Sequence, residues 1–222
     1  MPHINTTLSI QGQAGNIQAC LHIPDNGNKT LTGLALILHP HPLFGGTMDN
    51  KVVQTLIKST NDLNYAAMRF NFRGVGQSDG VHDNGIAETS DTMEVLKYMR
   101  STLIQELHKQ NYAIDHNCPI ILGGFSFGTF VISNLLDKID FKPKKILMVG
   151  TAAGKWDVKG VPSDSLIIHG EDDDVIPLDY AMTWAKKYQL SITIVPNAGH
   201  FFHGKLVLLK NLVKQSLSYN WD

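Results

Sequence analysis

The chain has little of what marks a secreted, membrane-bound or nucleic-acid-binding protein. Its 222 residues include only two cysteines, Cys20 and Cys118. Each lies in an apolar, strand-like run, so the pair reads as buried free thiols rather than a disulfide, which fits a reducing compartment. Neither sign of charge is in excess: 19 Lys plus Arg stand against 20 Asp plus Glu, a formal charge of -1. That balance leaves no basic face for nucleic acid. No apolar run approaches the length of a membrane span, and Met1 to Thr7 offers neither a basic leader nor an apolar signal segment. Low-complexity segments and internal repeats are absent. The expectation is a soluble, cytoplasmic protein with no nucleic-acid or membrane partner, of a length that suits one domain with a substantial core.

What is present centres on Cys118 to Gly128, C-P-I-I-L-G-G-F-S-F-G. Ile120 to Leu122 is a short, wholly apolar run closed by glycines, the pattern of a strand buried on both faces of a parallel sheet. Gly124-Phe125-Ser126-Phe127-Gly128 follows, matching G-x-S-x-G, and Thr129 to Asp137 then has helical spacing, with Val131, Leu135 and Leu136 on one side. A serine whose oxygen stands free at a strand tip needs a cramped backbone, so the positions two before and two after it must lack bulk. The same turn sets the Phe127 NH at a helix start, where unpaired NH groups and the dipole favour a developing oxyanion. Ser126 is the candidate nucleophile; the plainer alternative is a glycine-rich turn with a capping serine.

The remaining chain alternates strands and helices. Thr6 to Gln11 and Ile17 to Ile23 suggest an antiparallel hairpin about Gly12 and Gly15, and Pro24 to Asn28 breaks the chain. Strands are expected at Gly33 to Leu38, Tyr65 to Phe72, Lys145 to Val149, Leu166 to Ile168 and Ile192 to Val195. Helices are expected at Asp49 to Ser59, Glu88 to about Lys109, Leu178 to Tyr188 and Leu206 to Leu217. Such units call for a doubly wound, mostly parallel sheet with right-handed crossovers, whose ligands bind at the carboxyl ends of the strands. Loops 39 to 46, 73 to 80, 123 to 128, 151 to 157, 169 to 177 and 196 to 203 all fall on that edge.

A serine hydroxyl needs a base, and the base an orienting acid. His200, in Pro196-Asn197-Ala198-Gly199-His200-Phe201-Phe202 after the last strand, is the candidate base. The preceding strand ends in His169-Gly170-Glu171-Asp172-Asp173-Asp174, which offers several carboxylates. The chain order Ser, acid, His is that of an α/β-hydrolase.

These motifs, together with H-P-H-P-L-F-G-G-T-M-D-N and N-F-R-G-V-G-Q-S-D-G, resemble the α/β-hydrolase superfamily. More narrowly they resemble a small, capless bacterial group loosely related to dienelactone hydrolases, over nearly the whole chain. The resemblance implies Ser126 as nucleophile and His200 as base. It places the acid on Asp173, counted along H-G-x-x-D before V-x-P, with Asp174 next and Asp172 as a neighbour. It places the second oxyanion donor on the backbone NH of His41, beside that of Phe127. Pro40 replaces the more usual glycine there, Pro42 has no NH, and Leu43 is the fallback. No cofactor or metal is implied. His39 with His41, and His200 with His203, lack a cysteine or carboxylate at matching spacing for zinc, and the acidic run lacks the spacing of a calcium loop.

Other prominent residues have plainer readings. His169 reads as a satisfied strand-end histidine. Arg73 reads as a tie between loops, with contact to an acidic substrate as the alternative, and Phe125 and Phe127 either line an acyl pocket or pack beside the elbow. Only a short segment separates Gly150 from the strand at Leu166, too short for a cap. The expected function is a serine hydrolase cleaving small or exposed carboxylic esters. The alternatives are a thioesterase or peptidase using the same residues, or a binding protein with a vestigial site. The oligomeric state is left open.

Overall fold

In the computed structural model, which describes residues 3–27 and 29–218, one mixed sheet runs through the molecule. Its strands are β1 (His3–Gly12), β2 (Gly15–Pro24), β3 (Gly33–Leu38), β4 (Tyr65–Phe70), β5 (Ile120–Phe125), β6 (Lys145–Val149), β7 (Leu166–Gly170) and β8 (Thr193–Val195). Their order is β1-β2-β4-β3-β5-β6-β7-β8. The hairpin β1–β2 is antiparallel, β2 joins β4 antiparallel, and every later pairing is parallel. The expected doubly wound sheet with an N-terminal hairpin is thus the architecture observed. Met1, Pro2 and Asn28, which belong to the terminal and loop readings, lie outside the described residues.

The strands bury both faces because their apolar side chains alternate between two cores. Leu34, Leu36 and Leu38 of β3 join one cluster with Met68, Phe70, Leu122 and Met148; Ala35 and Ile37 join the other with Ala67, Ile121 and Leu147. The first cluster is covered by α2 (Ile86–Tyr98), α3 (Ile104–Lys109), α4 (Phe127–Leu135) and α5 (Leu178–Lys187). The second is covered by α1 (Lys51–Asn61) and α6 (Leu206–Ser218). Lys210 and Lys214 both reach Asp62 across the α1–α6 contact, at 2.8 and 3.0 Å, but each lysine is about one-third exposed. Such pairs contribute ~0–1 kcal/mol, whereas burying a Leu or Val side chain contributes ~1.5–3 kcal/mol. Leu209 and Val213 on α6, both fully buried, therefore hold that contact.

Several element ends shift from the sequence reading, and two of the differences have a clear physical reason. β5 continues to Phe125 and α4 already begins at Phe127, so Ser126 alone forms the turn. Glycine in a strand is a weak propensity signal, which cut the expected strand short at Leu122. The long amphipathic helix is broken by a π-turn at Met99–Leu103 between α2 and α3. Met99, Leu103, Ile104 and Leu107 all remain buried across it, and one inserted turn residue leaves a spacing of three and four intact. Both cysteines are free and buried. Burial pushes the Cys118 thiol up to about 11 and raises that of Cys20 against the pull of Arg69. Among the described residues no helix is long and apolar enough to cross a membrane.

Candidate active site

Ser126 occupies the bend between β5 and α4 at φ 53°, ψ −119°, a backbone region that L-residues avoid at a cost of ~1–3 kcal/mol. The bend is held on both sides: the Ser126 NH donates to the Val149 carbonyl at 2.9 Å, and its own carbonyl accepts from the Thr129 NH and hydroxyl at 2.8 and 2.6 Å. The flanking glycines are required by contact. A Cβ on Gly124 would stand 2.6 Å from the Gly128 carbonyl, and one on Gly128 would stand 2.6 Å from the Leu38 carbonyl. Backbone atoms cannot step aside as side-chain tips do, so Gly124→Ala should lower stability by about 1–3 kcal/mol, the scale of overpacking. The midpoint of urea unfolding measures this.

The Asp173 and His200 loops are stitched together beside it. The Glu171 NH donates to the Val195 carbonyl and the Asp172 NH to the Ala198 carbonyl, each at 3.0 Å, and the Asn197 NH donates to Glu171 Oε2 at 3.1 Å. Asp173 is buried while Asp172 and Asp174 are exposed. Asp173 Oδ1 accepts from the Val175 and Ile176 NH groups at 3.0 and 2.7 Å, and Oδ2 lies 2.7 Å from His200 Nδ1. Burial works against ionisation of Asp173, but the His200 hydrogen bond and charge, the Ile176 NH and the nearby His169 outweigh it and hold its carboxyl below the usual range. The carboxylate accepts, so His200 Nδ1 carries hydrogen and Nε2 is left as an acceptor. Phe125 backs the imidazole, ring centroids 4.8 Å apart.

Ser126, Phe127, His41 and His200 line one cavity of about 560 Å³, with Phe44, Trp156, Val175 and Phe201 among its walls. As the first residue of α4, Phe127 has no intrahelical acceptor for its NH. In the facing loop, the Leu43 NH is bonded to His41 Nδ1 at 3.2 Å and its side chain is 70% exposed, whereas His41 lines the cavity. That loop is anchored by His39 and Asn71: His39 Nε2 accepts the Phe72 NH at 2.9 Å, and Asn71 Oδ1 accepts the Met48 NH at 2.8 Å. Burial drives the His39 pKa down to about 3, so the ring stays neutral and gives its Nδ1 hydrogen to the Pro40 carbonyl at 2.6 Å.

Other prominent residues also settle into place. Both His39 nitrogens are thus engaged, His203 is exposed, and among the described residues no group of three His, Cys, Asp or Glu could hold a metal ion. Arg73 is a tie, with Nε and Nη2 each 2.8 Å from the Asp91 carboxylate of α2. Of the two elbow phenylalanines, Phe127 lines the cavity and Phe125 is buried behind His200. Sequence reasoning missed Trp156, stacked on Phe130 at 4.9 Å and edge-on to Phe127 at 5.0 Å. It also missed His82, whose ring lies 4.7 Å from that of His41 while its Nδ1 stands 2.8 Å from the buried Glu88. The segment too short for a cap supplies Lys155 and Trp156 to the cavity wall instead.

Comparison with known proteins gives this arrangement its class. No protein-family profile matches the chain. The structure of an α/β serine hydrolase homologue from Coxiella burnetii is 32% identical and covers 96% of this chain and 97% of its own, with a TM-score of 0.81. XC6422 from Xanthomonas campestris, described as an α/β serine hydrolase without lid, superposes with a TM-score of 0.83 at 26% identity, covering 98% and 95%. The uncharacterized protein RP471 of Rickettsia prowazekii is 30% identical over 187 residues, 78% of this chain and 73% of that protein. The chain belongs to the α/β serine hydrolases that lack a lid.

Proposed function

We propose that the protein is a carboxylic-ester hydrolase acting through Ser126, His200 and Asp173. His200 Nε2 takes the Ser126 proton as Oγ attacks the ester carbonyl, and the NH groups of Phe127 and His41 receive the oxyanion. Collapse expels the alcohol, which takes the proton from His200 and leaves an acyl group on Ser126. Water, deprotonated by His200, then attacks the acyl carbonyl; the acid departs and the proton returns to serine. No cofactor enters the cycle. The observation that carries the reading is the 2.7 Å bond between Asp173 and His200 beside the cavity that Ser126 lines.

The test is intact-mass spectrometry after fluorophosphonate treatment, with turnover of matched ester, thioester and peptide substrates. One adduct per chain and fastest turnover of the ester support the reading. A faster thioester or peptide would move the assignment to those acyl groups, and no adduct on folded protein would leave a binding protein.

With no cap to enclose a long chain, acetyl and butyryl esters are expected to outpace a palmitoyl ester. An apolar wall discriminates by ~1–3 kcal/mol per methylene. Trp156→Ala should therefore lower kcat/KM for p-nitrophenyl butyrate by about tenfold more than for the acetate. Equal losses on both esters would remove Trp156 from the acyl wall. Two buried free thiols support a cytoplasmic setting.

A further inference from the structure

His169 stands in β7 just before the loop that bears Asp173, and its side chain is fully buried. Nε2 lies 2.9 Å from the Ile176 carbonyl and 3.4 Å from Asp173 Oδ2. A carbonyl and a carboxylate can only accept, so Nε2 carries the hydrogen. Nδ1, by contrast, is buried with no hydrogen-bond partner among the described residues. A histidine retained only to satisfy a strand end would not leave one nitrogen bare, because an unpaired buried acceptor costs stability. The Nε2 side of the ring is the side in use. It closes a small circuit: His169 donates to the Ile176 carbonyl, while the NH of that same residue donates to Asp173 Oδ1 at 2.7 Å.

Resting on the triad reading above, we propose that His169 is a positioning residue for Asp173: its Nε2 hydrogen fixes Ile176 against one carboxylate oxygen and draws charge from the other, the oxygen that faces His200. The titratable groups facing the ring are Asp173 and His200. Burial lowers the pKa of His169, with His200 assisting and the Ile176 carbonyl and Asp173 opposing, so the ring is a neutral donor near pH 7.

The sign of the effect follows. A neutral donor beside Oδ2 stabilises the carboxylate without adding positive charge, so less of its field falls on His200. Without that donor, Asp173 favours protonated His200 more strongly, and the acid limb of kcat/KM moves to higher pH.

The experiment compares wild type with His169→Leu, His169→Asn and His169→Gln. Leucine removes the donor, asparagine carries an amide too short to reach the Nε2 position, and glutamine places an NH near it. The readouts are the pH profile of kcat/KM on p-nitrophenyl acetate, kcat and KM separately, and fluorophosphonate labelling. For Leu and Asn, kcat is expected to fall by about tenfold, the scale of one orienting hydrogen bond, with KM unchanged and the acid limb displaced upward. Gln is expected to restore both. A wild-type acid limb in His169→Leu, or in His169→Asn should the leucine variant not fold, overturns the proposal. So does a glutamine variant as impaired as the leucine one. Absence of an adduct on wild type would instead sink the serine reading itself, so the two failures are distinguishable.

Discussion

Ser126→Ala should abolish the fluorophosphonate adduct and lower kcat/KM on p-nitrophenyl acetate by about 10⁴-fold or more, the scale of losing a triad nucleophile. Alanine keeps a Cβ at φ 53°, so the variant keeps the strain of the bend and its Tm should stay close to wild type. Ser126→Gly makes the informative contrast. It is equally inactive, but glycine adopts positive φ freely and releases ~1–3 kcal/mol of strain. The added freedom of the unfolded chain takes back only ~0.4–1 kcal/mol. The strain term wins, so the glycine variant should melt above both the alanine variant and wild type. An alanine variant retaining more than a tenth of the activity would show that Ser126 is not the nucleophile. A glycine variant melting below alanine would show that the bend is not strained.

The sheet was legible because strand and loop signals there are local. Runs such as Gly33 to Leu38, and Lys145 to Val149 with its half-buried lysine at the start, match strands to the residue, since burial on both faces leaves few polar positions to blur the ends. The elbow was legible because its motif lies inside a five-residue span: Gly124 is crowded by Gly128 within that span, whereas Gly128 is crowded by Leu38 of β3, a contact no local pattern shows. The choice of Asp173 among three adjacent aspartates came from family spacing, and burial separates it from its exposed neighbours. The site's lining was not legible. Trp156 lies in an aperiodic loop and reaches the cavity by packing on Phe127 and Phe130 of α4 and on His41, all distant in sequence. His82, set beside Glu88, meets His41 and Phe127 from parts of the chain far apart in sequence. No local pattern encodes such contacts. Phe125 and Phe127 look interchangeable in sequence, but the bend at Ser126 sends the first behind His200 and the second into the cavity.

Asp173→Asn should cost about as much activity as the serine replacement, ~10⁴-fold in kcat, although it changes no volume. The reason is a count of donors and acceptors. The carboxylate faces two backbone NH groups on Oδ1, and His200 Nδ1 and His169 Nε2 on Oδ2. All four are donors, and asparagine has a single acceptor oxygen. If that oxygen keeps the backbone NH groups, the amide NH₂ faces His200 Nδ1 and drives its hydrogen to Nε2, the atom that must accept from serine. If the amide turns round, the NH₂ meets two backbone NH groups instead. Either way buried donors lose their partner, at ~1–3 kcal/mol each, so the variant should also lose stability. Its pH dependence should change too. The folded pKa of Asp173 lies below its unfolded value, so the group contributes stability that is fully present above the unfolded value near 3.9 and is lost as pH falls through the folded pKa. Wild type should therefore lose Tm on acidification in that window, whereas the asparagine variant, lower at neutral pH, should lose less. Parallel acid slopes for the two proteins would mean that Asp173 is not held as a carboxylate, and the account of His200's tautomer would fall with it.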